Sequence, residues 1–157
     1  VIAVAGVDDR VRIGLDFGAD HGINYHKQDL TEEAKRLTGG KGVDVAVEAT
    51  GSPTVMETAH RAVRKKGGLC IVAGNARHGE TFRIDPYDLI KGRRIAGSWG
   101  GDTDPDQDIP HYADLFLKDK FPFGKLATHC WPLAQINAAF DALAASEVSR
   151  ALIDMTP

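Results

Sequence analysis

VDVAVEATG, residues 43–51, is the stretch whose reading settles the architecture. Residues 43–49 are apolar except for Asp44 and Glu48. An unbroken Val/Ala run of this kind is the pattern of a strand in a parallel sheet covered on both faces. Thr50 and Gly51 end the strand, and Pro53 introduces a helix over residues 54–63 that ends at Gly67-Gly68. Proline is favoured at the first turn because its missing N–H has no partner there anyway. A second apolar strand follows at residues 69–73. Strand, crossover helix and strand make one βαβ unit.

The same alternation continues in both directions. Upstream, residues 1–5 (VIAVA) read as a strand and residues 8–17 as a helix, with Asp8 or Asp9 as N-cap and Gly18 at its stop. Residues 22–25 form a short strand; residues 30–37 form a helix that Thr31 can cap and Gly39-Gly40 end. Downstream, residues 84–91 suggest a short helix started near Asp85-Pro86, and residues 94–99 a strand. Right-handed crossovers turn such a series into a doubly wound, Rossmann-like α/β fold. After Gly100-Gly101 the texture changes. DTDPDQD (102–108) reads as an acidic loop, residues 109–117 and 133–144 as amphipathic helices, the second ending near Ser146, and residues 151–155 as a short apolar segment. Two domains are expected, residues 1–99 and residues 100–157.

Composition removes several function classes. The 157 residues are 43% hydrophobic and 26% charged with net charge -3, an ordinary soluble balance. No basic stretch suggests a nucleic-acid groove, and no apolar run approaches the ~18 residues of a membrane span. No secretory leader is read. Two separate cysteines, Cys70 and Cys130, exclude a disulfide framework and a cysteine-rich zinc site, and fit the cytoplasm. The six histidines show no metal-ligand spacing: His21, His26, His60, His78 and His111 read as surface or loop residues and His129 as structural. Glu32-Glu33 and the run Arg64-Lys65-Lys66 read as solvated faces, and Glu48 as a structural acid within its strand. Residues 1–5 open in mid-strand, which suggests a segment of a longer chain.

Four blocks in order carry a family likeness: FGADHGINYHKQD (17–29), LTGGKGVDVAVEATGSP (37–53), GRRIAGSWGG (92–101) with DIP (108–110), and LATHCWPLAQINAAFDALAASEVSRALI (126–153). Together they resemble the second, nucleotide-binding half of the zinc-type medium-chain alcohol dehydrogenases over essentially the whole chain. The resemblance implies that the intact protein transfers hydride between NAD or NADP and a small-molecule alcohol or aldehyde. Zinc would come only through an N-terminal half that this sequence lacks. No catalytic residue and no metal ligand of the family falls on these residues, so the segment alone is expected to be inactive. The family's first strand and glycine-rich phosphate loop are expected just before Val1. In the 3-2-1-4-5-6 strand order that first strand lies between residues 1–5 and 43–49. Those two strands are therefore expected not to pair, and the segment is not expected to fold independently.

The resemblance also distributes cofactor contacts. Ala5 stands where dinucleotide folds usually place the acid that binds the ribose 2′-hydroxyl, followed by Gly6. With no carboxylate there and Arg10 one turn on, beside Arg12, NADP is expected to be tolerated or preferred; Asp8 and Asp9 oppose that reading, and in the alternative Arg10 and Arg12 are solvated helix residues and NAD is used through other contacts. Thr50 and Gly51 fall beside the adenosine. Val72, Ala73 and Gly74, with Ser98, Trp99 and Gly100, fall where the family holds the nicotinamide amide. Arg150 falls where it reaches the pyrophosphate, a task suited to a guanidinium fork. The family pairs its last sheet strand with a twin, which implies a homodimer through residues 94–99. Two other readings remain: a zinc-free quinone-reductase-type member of the superfamily, and a nucleotide-binding module without catalysis.

Overall fold

The computed structural model describes residues 1–127, 129–145, 147–148 and 150–156. Thr128, of the Thr-His pair in the last family block, and Ser146, near the expected end of a helix, lie outside the described residues. Contacts divide the chain into two units, Val1–Thr103 and Asp104–Pro157.

The first unit alternates β1 (Ile2–Ala5), α1 (Asp8–Asp16), β2 (His21–Asn24), α2 (Leu30–Leu37), β3 (Val45–Glu48), α3 (Pro53–Ala62), β4 (Leu69–Val72), α4 (Pro86–Ile90) and β5 (Arg94–Gly97). Every strand pair is parallel: Ile2 faces His21 across β1 and β2, Val45 faces Leu69 across β3 and β4, and Leu69 faces Arg94 across β4 and β5. This is the Rossmann-like α/β architecture read from the sequence. Among the described residues β1-β2 and β3-β4-β5 are separate sheets, and β1 does not pair with β3.

Helix α3 shows how the sequence builds the core. Met56, Ala59, His60 and Val63 recur at the i, i+3, i+4, i+7 spacing of one helical face, and all four are buried. Ala59 and Val63 pack on Cys70 of β4, with Val43, Ala46 and Ile95 around them. Burial, then the nearby Glu48 charge, pushes the Cys70 thiol up to about 11. The end of α3 is held by Arg93, whose Nε donates to the Val63 carbonyl and Nη2 to the Arg61 carbonyl, both at 2.9 Å. These carbonyls have no partner within the helix, and a cation there also suits the helix dipole. Asp88 fixes the same guanidinium at 2.7 Å.

Several expectations are corrected. His60 is not a surface residue but 2% exposed, because α3 turns that position inward beside Met56 and Ala59. Strand β3 is covered on one face only. Ala46 and Glu48 face the α3 side, whereas Val45 and Val47 are 53% and 65% exposed, since only one side of β3 meets a helix among the described residues. Helix α2 is capped by Asp29 rather than Thr31, its carboxylate accepting from the Glu32 N–H at 2.9 Å. Val7 precedes α1, and Asp8 and Asp9 lie within its first turn.

In the second unit the acidic stretch is mostly helix. Asp104 caps α5 (Pro105–Leu117), accepting from the Asp106 N–H at 3.2 Å, and the acids of the first turn complement the helix dipole. Strand β6 (His129–Pro132) was not anticipated, because Cys-Trp-Pro offers no alternation; it pairs in parallel with β7 (Ala151–Asp154). Helix α6 (Ile136–Ala144) packs on both, preceded by a 3-10 turn at Leu133–Gln135.

Candidate functional site

The carboxyl end of β3 is organised by one buried acid. Glu48 is 2% exposed. Its Oε1 accepts from the Thr50 N–H at 2.6 Å, the Thr50 hydroxyl at 2.5 Å and the Gly51 N–H at 3.2 Å. Its backbone carbonyl accepts from the Ala73 and Gly74 N–H groups at 2.8 and 2.9 Å. Gly51 has φ +76°, and a Cβ on it would lie 2.4 Å from the Asn75 carbonyl oxygen. A Cβ on Gly74 would lie 2.2 Å from the Gly51 nitrogen and 2.7 Å from Glu48 Oε2. Two loops thus meet backbone to backbone around the Glu48 carboxylate, where open α/β sheets receive ligands. Ser98 extends this edge, its N–H donating to the Val72 carbonyl at 3.1 Å. Trp99 is 86% exposed, and Gly100 follows with φ +61°.

The carboxyl end of β1 is built from side chains instead. Beyond Ala5, the Tyr25 hydroxyl and the His26 ring stand over Gly6; a Cβ there would lie 2.8 Å and 3.0 Å from them. The two rings are tilted at 55° with centroids 4.5 Å apart. Asp8 is engaged by the Lys27 ammonium and by the Asn24 amide at 2.6 Å, and these bonds, Lys27 first, hold its carboxyl below the usual range. Asp9 pairs with Arg12 at 3.0 Å. Arg10 is exposed and belongs to none of the ion pairs among the described residues.

A cleft of about 430 Å³ lies between the segment after β2 and the start of α3, lined among others by Tyr25, His26, Leu30, Ser52 and Val55. Its volume lies in the range of small-molecule sites. Ser52 connects it to the β3 loop, its N–H donating to the Thr50 hydroxyl at 3.1 Å. A continuous rim therefore runs from Gly6 past Tyr25 and the cleft to Thr50, Gly51, Gly74 and Ser98. Tyr25, His26 and Ser52 were missed as site residues. The signal available was their position, just past β2 and just past the Thr50-Gly51 turn. Arg150 lies in the second unit, exposed, immediately before β7. Among the described residues no three His, Cys, Asp or Glu side chains could hold a metal ion, and no helix is long and apolar enough to cross a membrane.

A family model described as zinc-binding dehydrogenase matches residues 1–118. Alcohol dehydrogenase 1 of Pisum sativum is 29% identical over 157 residues, 99% of this chain and 41% of that protein. Alcohol dehydrogenase 1 of Zea mays is 31% identical, over 97% of this chain and 41% of that protein. The chain thus spans about two fifths of the length of these relatives. The crystal structure of benzyl alcohol dehydrogenase from Acinetobacter calcoaceticus superposes with a TM-score of 0.92 and 31% identity over 99% of this chain and 42% of that one. Parallel α/β order, a glycine-edged rim and a family match across three quarters of the residues agree: the chain belongs to the zinc-binding dehydrogenase family.

Proposed function

We propose that the full-length protein is an NAD(P)-dependent oxidoreductase acting on small alcohols and aldehydes, and that this chain supplies its cofactor-binding edge. The continuous rim from Gly6 to Ser98 carries the reading. The residues present fit a dinucleotide. Tyr25, Leu30 and Val55 offer apolar surface to an adenine ring, the Cβ-free backbone at Gly51 and Gly74 admits close approach, and Ser98 to Gly100 continue the edge toward a nicotinamide. When bound, the nicotinamide supplies the hydride acceptor or donor. This chain's part is to bind and orient the dinucleotide, and Arg150 is assigned to the pyrophosphate on family likeness.

At the ribose end, Ala5 brings no acid, and Asp8 and Asp9 are occupied by Lys27, Asn24 and Arg12. Arg10 is thus open to a 2′-phosphate, and NADP should be used at least comparably to NAD. We assign the zinc that the family implies to the rest of the protein; among the described residues no three His, Cys, Asp or Glu side chains could hold it. The edge of β1 away from β2 and that of β3 away from β4 have no strand partner among the described residues, and a parallel strand from the rest of the protein would pair with them. Strand β5 likewise ends its sheet, and a second copy pairing through residues 94–99 is the occupant we infer; a monomer in sedimentation would contradict this. A cytoplasmic location accompanies this reading.

The test is steady-state turnover of the full-length protein with NAD and NADP against a panel of alcohols that includes benzyl alcohol, with and without a chelator. Turnover lost to the chelator supports the zinc-dependent reading, and chelator-resistant quinone reduction would move the protein to the zinc-free branch. Cofactor binding without turnover would make it a module. A preference for NAD above roughly 100-fold in kcat/KM, about 2.7 kcal/mol, would contradict the role given to Arg10.

A further inference from the structure

We propose that Glu48 is the positioning residue of the cofactor edge: its buried carboxylate sets the Thr50-Gly51 backbone that the dinucleotide would touch, while its main-chain carbonyl holds the Ala73-Gly74 loop beside it. The inference rests on the cofactor reading above. Glu48 sits on β3 with Ala46 on the α3 side of the sheet and is buried, so it acts through its neighbours. Oε1 gathers three donors from Thr50 and Gly51, and the main-chain carbonyl gathers two from Ala73 and Gly74. The carboxylate therefore fixes two of the cofactor residues named from the sequence, Thr50 and Gly51, although it was read as merely structural; the bonds to Ala73 and Gly74 come from the main chain and do not depend on the side chain. A carboxylate suits the task because one oxygen can accept several N–H and O–H donors at once, and charge-assisted bonds hold geometry more firmly than neutral ones.

The second oxygen shows that the arrangement is not a product of hydrogen-bond optimisation alone. Oε2 is buried and has no partner among the described residues. A buried acceptor left unmet is destabilising. It lies against Gly74, where a Cβ would come within 2.7 Å, in a space that only a glycine leaves open. An apolar side chain here would remove that unmet acceptor, but also the oxygen that Thr50 and Gly51 share. Backbone position at Thr50-Gly51 is what the acid provides in return.

The experiment measures, on the full-length protein, equilibrium binding of NADH and NADPH, kcat at saturating cofactor, and thermal unfolding, for Glu48→Gln, Glu48→Ala, Thr50→Val and Thr50→Ser. Glu48→Gln keeps an acceptor at Oε1 and should bind both dinucleotides within about threefold of the parent, whereas Glu48→Ala should weaken both by about tenfold or more. The kcat at saturation should stay within about threefold in both, since bound cofactor reacts as before. Should Glu48→Ala fail to fold, the threonine pair decides: Thr50→Val, without the hydroxyl donor, should bind about threefold or more weakly and Thr50→Ser should restore binding. The proposal is overturned if folded Glu48→Ala binds as the parent does, if Glu48→Gln is as impaired as Glu48→Ala, or if Thr50→Val and Thr50→Ser are indistinguishable. If the parent protein binds neither dinucleotide, the cofactor reading itself fails, whatever the variants do.

Discussion

The carboxyl ends of β1 and β3 are linked to one cleft, the first through Tyr25 and His26 and the second through Ser52, but are made of different material. At β3 the contacts are backbone on backbone: Gly51 against Asn75, Gly74 against the Gly51 nitrogen, all tied to buried Glu48. At β1 they are side chains in solvent: Tyr25 and His26 over Gly6, with Asp8, Lys27, Asp9 and Arg12 in exposed pairs. Backbone contacts cannot swing aside, so they fix the shape of this corner. Exposed side chains can be exchanged at little cost in stability, since surface ion pairs contribute ~0–1 kcal/mol. The first corner is therefore suited to binding and the second to choosing between related cofactors.

The sharpest way to break this contrast is a matched pair of glycine substitutions. Gly74→Ala drives a Cβ to 2.2 Å from a backbone nitrogen. It should cost about 3 kcal/mol or more in unfolding free energy and abolish cofactor binding. Gly6→Ala meets only the ends of Tyr25 and His26, which can change rotamer, and should cost about 1 kcal/mol. Denaturant midpoints of the two variants check this; equal losses would erase the distinction between the corners.

A smaller effect is expected at Arg10. Arg10→Glu should lower kcat/KM for NADP about tenfold while leaving NAD within about twofold, because a guanidinium facing a 2′-phosphate is replaced by a like charge. Parallel losses for both cofactors would place Arg10 outside the ribose end.

The smallest effect concerns pH. Burial, then the Arg93 charge, holds His60 below its ordinary value of 6.5, with Arg61 adding to this and Asp88 opposing it. Below pH 6.5 the unfolded chain takes up a proton that the folded chain resists, so stability should fall as the pH drops through and below that value. One proton sets the ceiling at about 1.4 kcal/mol per pH unit. His60→Gln should flatten this slope, measured by unfolding between pH 7.5 and 5.5 as chosen test conditions, roughly two units apart. An unchanged slope would assign the pH response to other groups.

What the sequence made legible follows from the same contrast. Backbone-determined features were readable: α2 at Leu30–Leu37 occurs as read, the strand read at residues 43–49 is Val45–Glu48, and the helix read at residues 54–63 is Pro53–Ala62. Glycine and proline report backbone demands directly. Features that depend on tertiary partners were not readable. His60 is polar by type and buried by its place on α3. Asp29 outcompeted Thr31 as a cap through a choice between neighbouring acceptors. Tyr25 and His26 acquire a possible role only because β2 lies beside β1, which brings them over Gly6. Strand β6 exists because β7 pairs with it, although its own residues lack strand periodicity.

The central claim is that the rim from Gly6 to Ser98 receives a dinucleotide, and hydrogen–deuterium exchange of the full-length protein with and without NADPH tests it most directly. Saturable protection is expected in peptides covering Gly6, Tyr25-His26, Thr50-Gly51, Ala73-Gly74 and Ser98, half-complete at micromolar cofactor, or roughly −8 kcal/mol of binding. Protection that misses the Thr50-Gly51 and Ala73-Gly74 backbone, or no protection at millimolar cofactor, would contradict the account.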